Sequence, residues 1–408
     1  MNERKVRYLI VGGGLAGASA AQAIRRRDAN GSILILTDEP HHPYDRPPLT
    51  KALWLQGKPP EYVFLHEREF YERKVIDIRT GTRAVGIDPV NRVVTDTHCR
   101  QFLYDKLLLA TGGAPRRLDA QGGGAEGVCH YRTLDDYLAT RLLARPGRSA
   151  LVVGGGFIGS ELAAALASKE VDVTMAFTSP YLCSHVFPEP LGRALQARFR
   201  EHGVRILTRD TPVALSHGRG RYSVATKGGR RLDTDMVLVG VGIDPEVSLA
   251  QTAGLAARDG VEVDEYLQTS APDIYAAGDN CSFPSLPWGR RRRIEHWDNA
   301  AEQGRVAGEN MAGGHENYSH LPFFFSDLFD FGYEAVGEVD TQHDTFCDWE
   351  VENKVGAVYY LKDRRVRGVM LCGIYGRMED ARRLILKGER VSPSSLRGAI
   401  SSSRSFSA

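Results

Sequence analysis

The chain has 408 residues, 42 % hydrophobic and 25 % charged, which exceeds one ordinary core and predicts two or three domains. Its 52 Lys and Arg balance 51 Asp and Glu to a net charge of +1, which gives no reason to expect nucleic acid or a membrane surface as partner. No run of 18 apolar residues occurs, and the charged start at residues 1–7 leads straight into a short strand, so neither a membrane span nor an export signal is expected.

In chain order, residues 7–11 read as a short buried strand, and Gly12-Gly13-Gly14-Leu15-Ala16-Gly17 opens an Ala-rich helix that runs to Arg27. Residues 32–37 read as a second strand. The Pro-rich stretch 43–60 predicts an irregular connection. Residues 106–111 form another buried strand, ending at Gly112-Gly113, and the Gly-rich residues 120–127 mark a loop near a domain boundary. A second strand, glycine turn, helix and strand follow at residues 150–153, 154–159, 158–169 and 171–177. Residues 236–241 and 273–277 are strands that end at Gly242 and at Gly278-Asp279, and residues 296–311 are helical. Beyond about residue 318, aromatic and β-like runs such as 355–361 and 366–373 predict a smaller α+β domain, and the Ser-rich residues 392–408 predict a mobile tail.

The repeated element carries the chemistry. Both copies read G-x-G-x-x-G between a strand and a helix. The first glycine permits the tight turn, the second lets backbone approach a pyrophosphate, and the third lets helix and strand pack closely. The helix N-terminus adds unpaired N–H groups and partial positive charge. One such match is weak evidence, whereas two in full βαβ context are strong. The expected dinucleotide contacts are Gly12, Gly14, Leu15, Ala16 and Gly17 in one loop and Gly154, Gly156, Phe157, Ile158 and Gly159 in the other. An acidic residue at the end of the second strand should hold a ribose hydroxyl. Asp38, or next to it Glu39, is in place after the first loop. After the second loop come Thr178 and Ser179, with neither a carboxylate nor an arginine. Two dinucleotide sites imply FAD in one and NAD(P)H in the other, with NADH weakly favoured.

Further motifs keep a recognisable order: Arg46-Pro47-Pro48-Leu49-Thr50-Lys51, Ala110-Thr111-Gly112-Gly113, Gly278-Asp279-Asn280 and Glu295-His296-Trp297-Asp298-Asn299-Ala300. With them the chain resembles the two-dinucleotide flavin oxidoreductases, the pyridine nucleotide-disulphide oxidoreductase superfamily without its redox disulfide. Within it, the resemblance is to the branch of apoptosis-inducing factor and the FAD-dependent ferredoxin reductases. Residues 308–311, 324–328 and 332–337 are similar to apoptosis-inducing factor in particular. The resemblance implies an α/β fold of two Rossmann-like dinucleotide-binding domains, the second inserted in the first, plus a smaller C-terminal α+β domain. The expected boundaries are 1–115 and 246–318 for FAD, 116–245 for NAD(P)H and 319–408 for the C-terminal domain.

The resemblance also implies residue roles. Lys51 points at flavin N5 and pairs with Glu161, and these two are the expected catalytic residues. Arg46 and Arg132 face FAD, Ala84 touches the adenine through its backbone, and Asp279 binds the ribityl hydroxyls. His296 and Trp297 line the pyrimidine edge, while Glu295 and Glu334 flank the nicotinamide. Thr111, Gly112, Gly242 and Gly278 close strands on the cofactor side. Phe325 stands where the family has a stacked tryptophan, and Ser179 where apoptosis-inducing factor has its ribose acid.

The remaining constellations are open or bland. Residues 290–293, four arginines, read either as a docking patch for an acidic redox protein or as a solvated loop paired with nearby carboxylates. His41-His42 has no third ligand, and no metal is expected. The six cysteines include no C-x-x-C pair, which predicts free thiols in a reducing cytoplasm and no disulfide relay. The resulting expectation is a cytoplasmic NAD(P)H oxidoreductase that reduces a ferredoxin or Rieske-type carrier. The alternative is a redox-sensing protein with slow turnover, a long-lived flavin–nicotinamide charge-transfer complex and a homodimeric state.

Overall fold

The computed structural model describes residues 3–124 and 127–402; the expectations for residues 1–2, 125–126 and 403–408 lie outside the described residues. The chain divides into two compact units.

The first unit comprises Met1–Asp45, Glu61–Ala114 and Asp244–Pro322. Its central strand, Glu3–Val11, pairs in parallel with Ile33–Leu36 on one side and Gln101–Leu109 on the other. Ile76–Arg79 extends the first side, and Ile274–Ala276 adds in parallel beside the second half of Gln101–Leu109. The sheet is therefore completed by a strand from far along the chain, which has no glycine loop of its own. Leu9, Ile10, Leu34, Ile35, Leu107, Leu108 and Ile274 are all buried. Such unbroken apolar runs suit parallel strands covered on both faces. The first half of Gln101–Leu109 instead carries an antiparallel ribbon, Val93–Asp96 and Ala84–Asp88. Helices Leu15–Arg27 and Trp297–Met311 meet backbone to backbone. A Cβ on Gly304 would lie 2.2 Å from the Ala16 carbonyl oxygen, and one on Gly308 2.4 Å from that of Ala20.

The second unit comprises Arg46–Pro60, Pro115–Ile243 and Phe323–Ala408. It holds a five-stranded parallel sheet in the order Arg205–Thr208, Asp172–Phe177, Ser149–Val153, Met236–Val239 and Val128–His130. Helix Phe157–Ala167 follows the central strand. An antiparallel ribbon, Pro212–Gly218, Arg221–Thr226 and Arg231–Thr234, precedes Met236–Val239. Residues 323–372 form a five-stranded antiparallel sheet in which Phe331–Gly337 lies between Phe323–Leu328 and Arg365–Cys372. The fold is thus α/β, with two Rossmann-like halves and a C-terminal antiparallel sheet.

Two local expectations need correction. Residues 43–60 are not wholly irregular: Pro47–Leu49 and Ala52–Leu55 each make a helical turn. The Ser-rich end is anchored through residue 402. Ser392 caps the turn Pro393–Leu396, Leu396 and Ile400 are buried, and the Gly398 N–H donates to Asp348 Oδ2 at 2.7 Å.

Candidate functional site

In the first unit the glycine loop is built from close approaches. A Cβ on Gly12 would lie 2.0 Å from the Ala110 carbonyl oxygen, one on Gly13 2.6 Å from the Thr37 side chain, and one on Gly17 2.1 Å from the Gly12 carbonyl oxygen. A Cβ on Gly14 would meet nothing within 4 Å. Gly14 is also the N-cap of Leu15–Arg27 and supplies no side-chain cap. Helix Leu134–Leu143, by contrast, is closed by its own Thr133–Asp136 capping box. The open second glycine and uncapped first N–H groups fit a pyrophosphate.

The ends of two neighbouring strands lie against that loop, and the other expected residues of this unit are held by their own contacts. A Cβ on Gly278 would lie 3.1 Å from Ala16 Cβ, which places Gly278-Asp279 against the first helical turn. Thr111 Oγ1 donates to the Glu246 carbonyl at 2.7 Å, and the Gly112 carbonyl accepts from the Glu246 N–H at 2.9 Å. Buried Asn280 donates to Thr111 Oγ1 at 3.0 Å and to the Leu109 carbonyl at 3.2 Å. Asp38 is exposed and accepts from Arg83 at 3.0 Å; Glu39 accepts from Tyr44 at 2.5 Å. Ala84 starts its strand opposite Asp96. Desolvation pushes His296 down to about 4, so its imidazole is neutral at pH 7. Trp297 Nε1 donates to Asp45 at 2.7 Å, and burial raises that carboxyl despite the bond.

The second unit repeats the loop. A Cβ on Gly154 would lie 2.3 Å from the Gly240 carbonyl oxygen, one on Gly155 2.6 Å from the Phe177 ring, and one on Gly159 2.1 Å from the Gly154 carbonyl oxygen. Gly156 again faces open space and caps Phe157–Ala167 without a side chain. Ile158 is exposed, and Gly242, at φ +103°, accepts from the Arg116 N–H at 2.9 Å. Arg46 Nη1 donates to the Arg132 carbonyl at 2.8 Å.

Lys51 and Glu161 form the ion pair expected of them, at 3.2 Å, with side-chain exposures of 16 % and 7 %. Two further donors, which sequence reasoning missed, complete the carboxylate. Thr50 Oγ1 and Ser326 Oγ each donate to Glu161 at 2.5 Å. Both lie inside motifs already singled out, yet they are 111 and 165 residues from Glu161, so only the folded chain reveals the contact. Lys51 Nζ also donates to the Phe325 carbonyl at 3.0 Å and stands 4.2 Å from the Phe325 ring centroid. Strand alternation explains the arrangement. Ser326 points inward, while Phe325 keeps 40 % of its surface exposed beside its cross-strand partner Glu334. Phe324, on the inward face, lies 5.1 Å from Phe157. Burial raises the Glu334 carboxyl, and its Oε2 has no hydrogen-bond partner among the described residues.

Basic residues stand at two places of interest. Residues 290–292 are a strand antiparallel to Cys281–Ser285. Arg293 is held by Asp259 at 2.7 Å and by Glu295 at 2.5 Å, and Arg291 by Glu262 at 3.8 Å. Those two arginines follow the carboxylate-paired alternative. At the end of the second strand of this unit, the Ser179 carbonyl accepts the N–H of Arg209, which follows the neighbouring strand, at 3.2 Å. No group of three or more His, Cys, Asp or Glu suited to a metal occurs among the described residues. Nor is any described helix long and apolar enough to cross a membrane.

Comparison with known proteins supplies independent findings. The family model described as pyridine nucleotide-disulphide oxidoreductase matches residues 6–304, and that of the apoptosis-inducing factor C-terminal region matches residues 307–355. The chain is 32 % identical to the mitochondrial apoptosis-inducing factor 1 of Dictyostelium discoideum, over 93 % of this chain and 78 % of that protein. It is 31 % identical to the ferredoxin reductase subunit of the 5,5′-dehydrodivanillate O-demethylase of Sphingobium sp., over 94 % of both. Among solved structures, the reductase in the covalent putidaredoxin reductase–putidaredoxin complex superposes with a TM-score of 0.90 at 30 % identity, covering 96 % of this chain and 95 % of that one.

Proposed function

The chain belongs to the pyridine nucleotide-disulphide oxidoreductase family and is an NAD(P)H-dependent flavoprotein oxidoreductase, and from that premise we propose that it delivers electrons to a ferredoxin-type carrier. The observation that carries this is the doubled cradle: two uncapped helices, each with an open second glycine, and no C-x-x-C pair to relay electrons onward. A relative of nearly equal length is a ferredoxin reductase subunit, which supports the choice of acceptor. We assign residues 1–115 and 246–318 to FAD, 116–245 to NAD(P)H and 319–408 to a C-terminal domain. Six free thiols suit a cytoplasmic location.

FAD, when bound, would supply a two-electron hydride acceptor that can pass electrons on one at a time. The chain's part is position and field. Gly14 and Gly156 admit the two pyrophosphates, and Asp38 accepts a ribose hydroxyl. Asp279 accepts from the ribityl chain. Lys51 would supply a positive charge to the reduced flavin, and Glu161 keeps that ammonium in one place. No side chain acts as a general base. His296, neutral at pH 7, offers a hydrogen-bonding edge without adding charge.

The test is an anaerobic titration of the purified protein with NADH or NADPH, followed by flavin absorbance, and then addition of an oxidised ferredoxin. A flavin band that bleaches and recovers rapidly with the carrier is the expected result. A protein without flavin overturns the assignment, and one that recovers equally slowly with and without carrier overturns the acceptor. The match of residues 307–355 to the apoptosis-inducing factor C-terminal region favours a second reading, a redox-responsive binding protein. Slow recovery together with dimerisation on reduction would select it.

A further inference from the structure

We propose that the second dinucleotide site selects a 2′-phosphate, so that NADPH rather than NADH is the reductant, with Arg209 as the specificity-determining residue. The inference rests on the assignment of the loop at 154–159 to the nicotinamide dinucleotide.

The two halves of the chain provide an internal comparison. After the first loop, the second strand, Ile33–Leu36, is followed two residues on by Asp38, an acceptor for a ribose hydroxyl and a repellent for a phosphate. After the second loop, the strand Asp172–Phe177 runs into Thr178 and Ser179, which carry no charge. The strand beside it, Arg205–Thr208, is parallel, with Phe177 paired to Thr208. One residue further, Arg209 comes level with Thr178. The Arg209 N–H donates to the Ser179 carbonyl at 3.2 Å and the Asp210 N–H to the Phe177 carbonyl at 3.0 Å, so the two strand ends are latched together.

The charge at this place is not cancelled locally. Arg209 is exposed, and among the described residues its guanidinium has no carboxylate partner. The adjacent acid, Asp210, is buried and turned to its own ribbon. It accepts from Gly228 N–H at 2.8 Å and from Thr211 N–H, Thr226 Oγ1 and Arg230 Nη1, each at 2.9 Å. Those donors hold its carboxyl below the usual range against the opposing effect of burial. Glu189, near Tyr181, accepts from Arg193 at 2.7 Å. Ser179 Oγ donates to the Tyr181 carbonyl at 3.1 Å, which fixes the turn that Arg209 borders. An exposed arginine whose backbone is bonded to that of Ser179, with no carboxylate partner among the described residues, suits the dianionic 2′-phosphate of NADPH, which a guanidinium can bind through two parallel N–H···O bonds.

The experiment is calorimetric titration of the flavin-containing protein with adenosine 2′,5′-bisphosphate and with 5′-AMP, repeated on Arg209→Gln and Arg209→Lys. The bisphosphate is expected to bind at least about tenfold tighter than 5′-AMP in the native protein. Arg209→Gln should abolish the difference, and Arg209→Lys should retain part of it. The ratio of kcat/KM for NADPH over NADH should fall in the same order, and Ser179→Glu should invert it. Equal affinity for the two nucleotides, or a preference that survives Arg209→Gln, overturns the inference while leaving the dinucleotide assignment intact. Binding of neither nucleotide overturns the assignment and the inference together.

Discussion

Glu161→Ala is the most informative single perturbation, because it removes one acceptor from three donors at once. The carboxylate accepts from Thr50 and Ser326 at 2.5 Å and faces Lys51 at 3.2 Å. Breaking a buried ion pair by deleting one partner costs about 3–5 kcal/mol, chiefly through the charge left behind. Lys51 is not wholly stranded. It keeps the Phe325 carbonyl at 3.0 Å and the Phe325 ring at 4.2 Å, the latter worth about 0.5–1 kcal/mol. The net loss should therefore be about 2–4.5 kcal/mol, or roughly 4–18 °C in melting temperature for a unit of this size. Glu161→Gln loses the charge and turns one of the two acceptor oxygens into an amide donor, but one hydroxyl keeps its acceptor, so it should cost less than Glu161→Ala. The assay is urea unfolding of the flavin-containing protein in a double-mutant cycle with Lys51→Met. The coupling should exceed about 1 kcal/mol. If the two substitutions add to within about 0.5 kcal/mol, the pair does not hold the segment 46–60 to the helix Phe157–Ala167, and the argument fails.

Three further outcomes follow from the geometry. Gly14→Ala places its methyl in open space, so the apoprotein should melt as the native one does while its FAD affinity falls about tenfold or more; Gly12→Ala drives a Cβ to 2.0 Å from a carbonyl oxygen at φ +121° and should not fold. Equal effects in both would remove the cradle. His296 is held at about 4 in the native state against 6.5 in the unfolded chain. Between those values the unfolded state binds a proton that the native state refuses, so stability should drop as pH falls from about 6.5 to 4, by at most about 3 kcal/mol, and His296→Gln should flatten that slope in urea unfolding. Asn280→Ala removes the donor to the Leu109 carbonyl and Thr111 Oγ1, and a loss of about 2 kcal/mol is expected. Unchanged stability would mean that this buried side chain does not fasten the Ile274–Ala276 strand end.

The fold was legible where the signal was local. A strand, a glycine turn and a helix lie within some twenty residues in each half, and their packing rules are written in the glycines themselves. The second residue of each motif is also glycine, because Thr37 and the Phe177 ring leave no room for a side chain, and neither neighbour is visible from the motif alone. The amphipathic helix Glu189–Glu201 buries Leu191, Leu195 and Phe199, which stand at helical spacing in the sequence. The ribbon Arg221–Thr226 alternates apolar and polar residues too briefly to stand out, and its placement depends on pairing with its neighbours. The tail shows composition misleading where pattern should have decided, since Leu396 and Ile400 are buried among serines.

The candidate site divides along the same line. Residues whose role follows from a turn, a helix end or a strand end could be named in advance. Those whose role depends on which strands lie side by side could not. Arg209 is 30 residues beyond Ser179 in the sequence, and nothing in the stretch between announces that the two strand ends are hydrogen-bonded neighbours. The register of one parallel pair turns an apparently neutral position into a basic one. A ribose pocket should therefore be read from the ends of two adjacent strands together, since the field a 2′-phosphate meets is the sum over both.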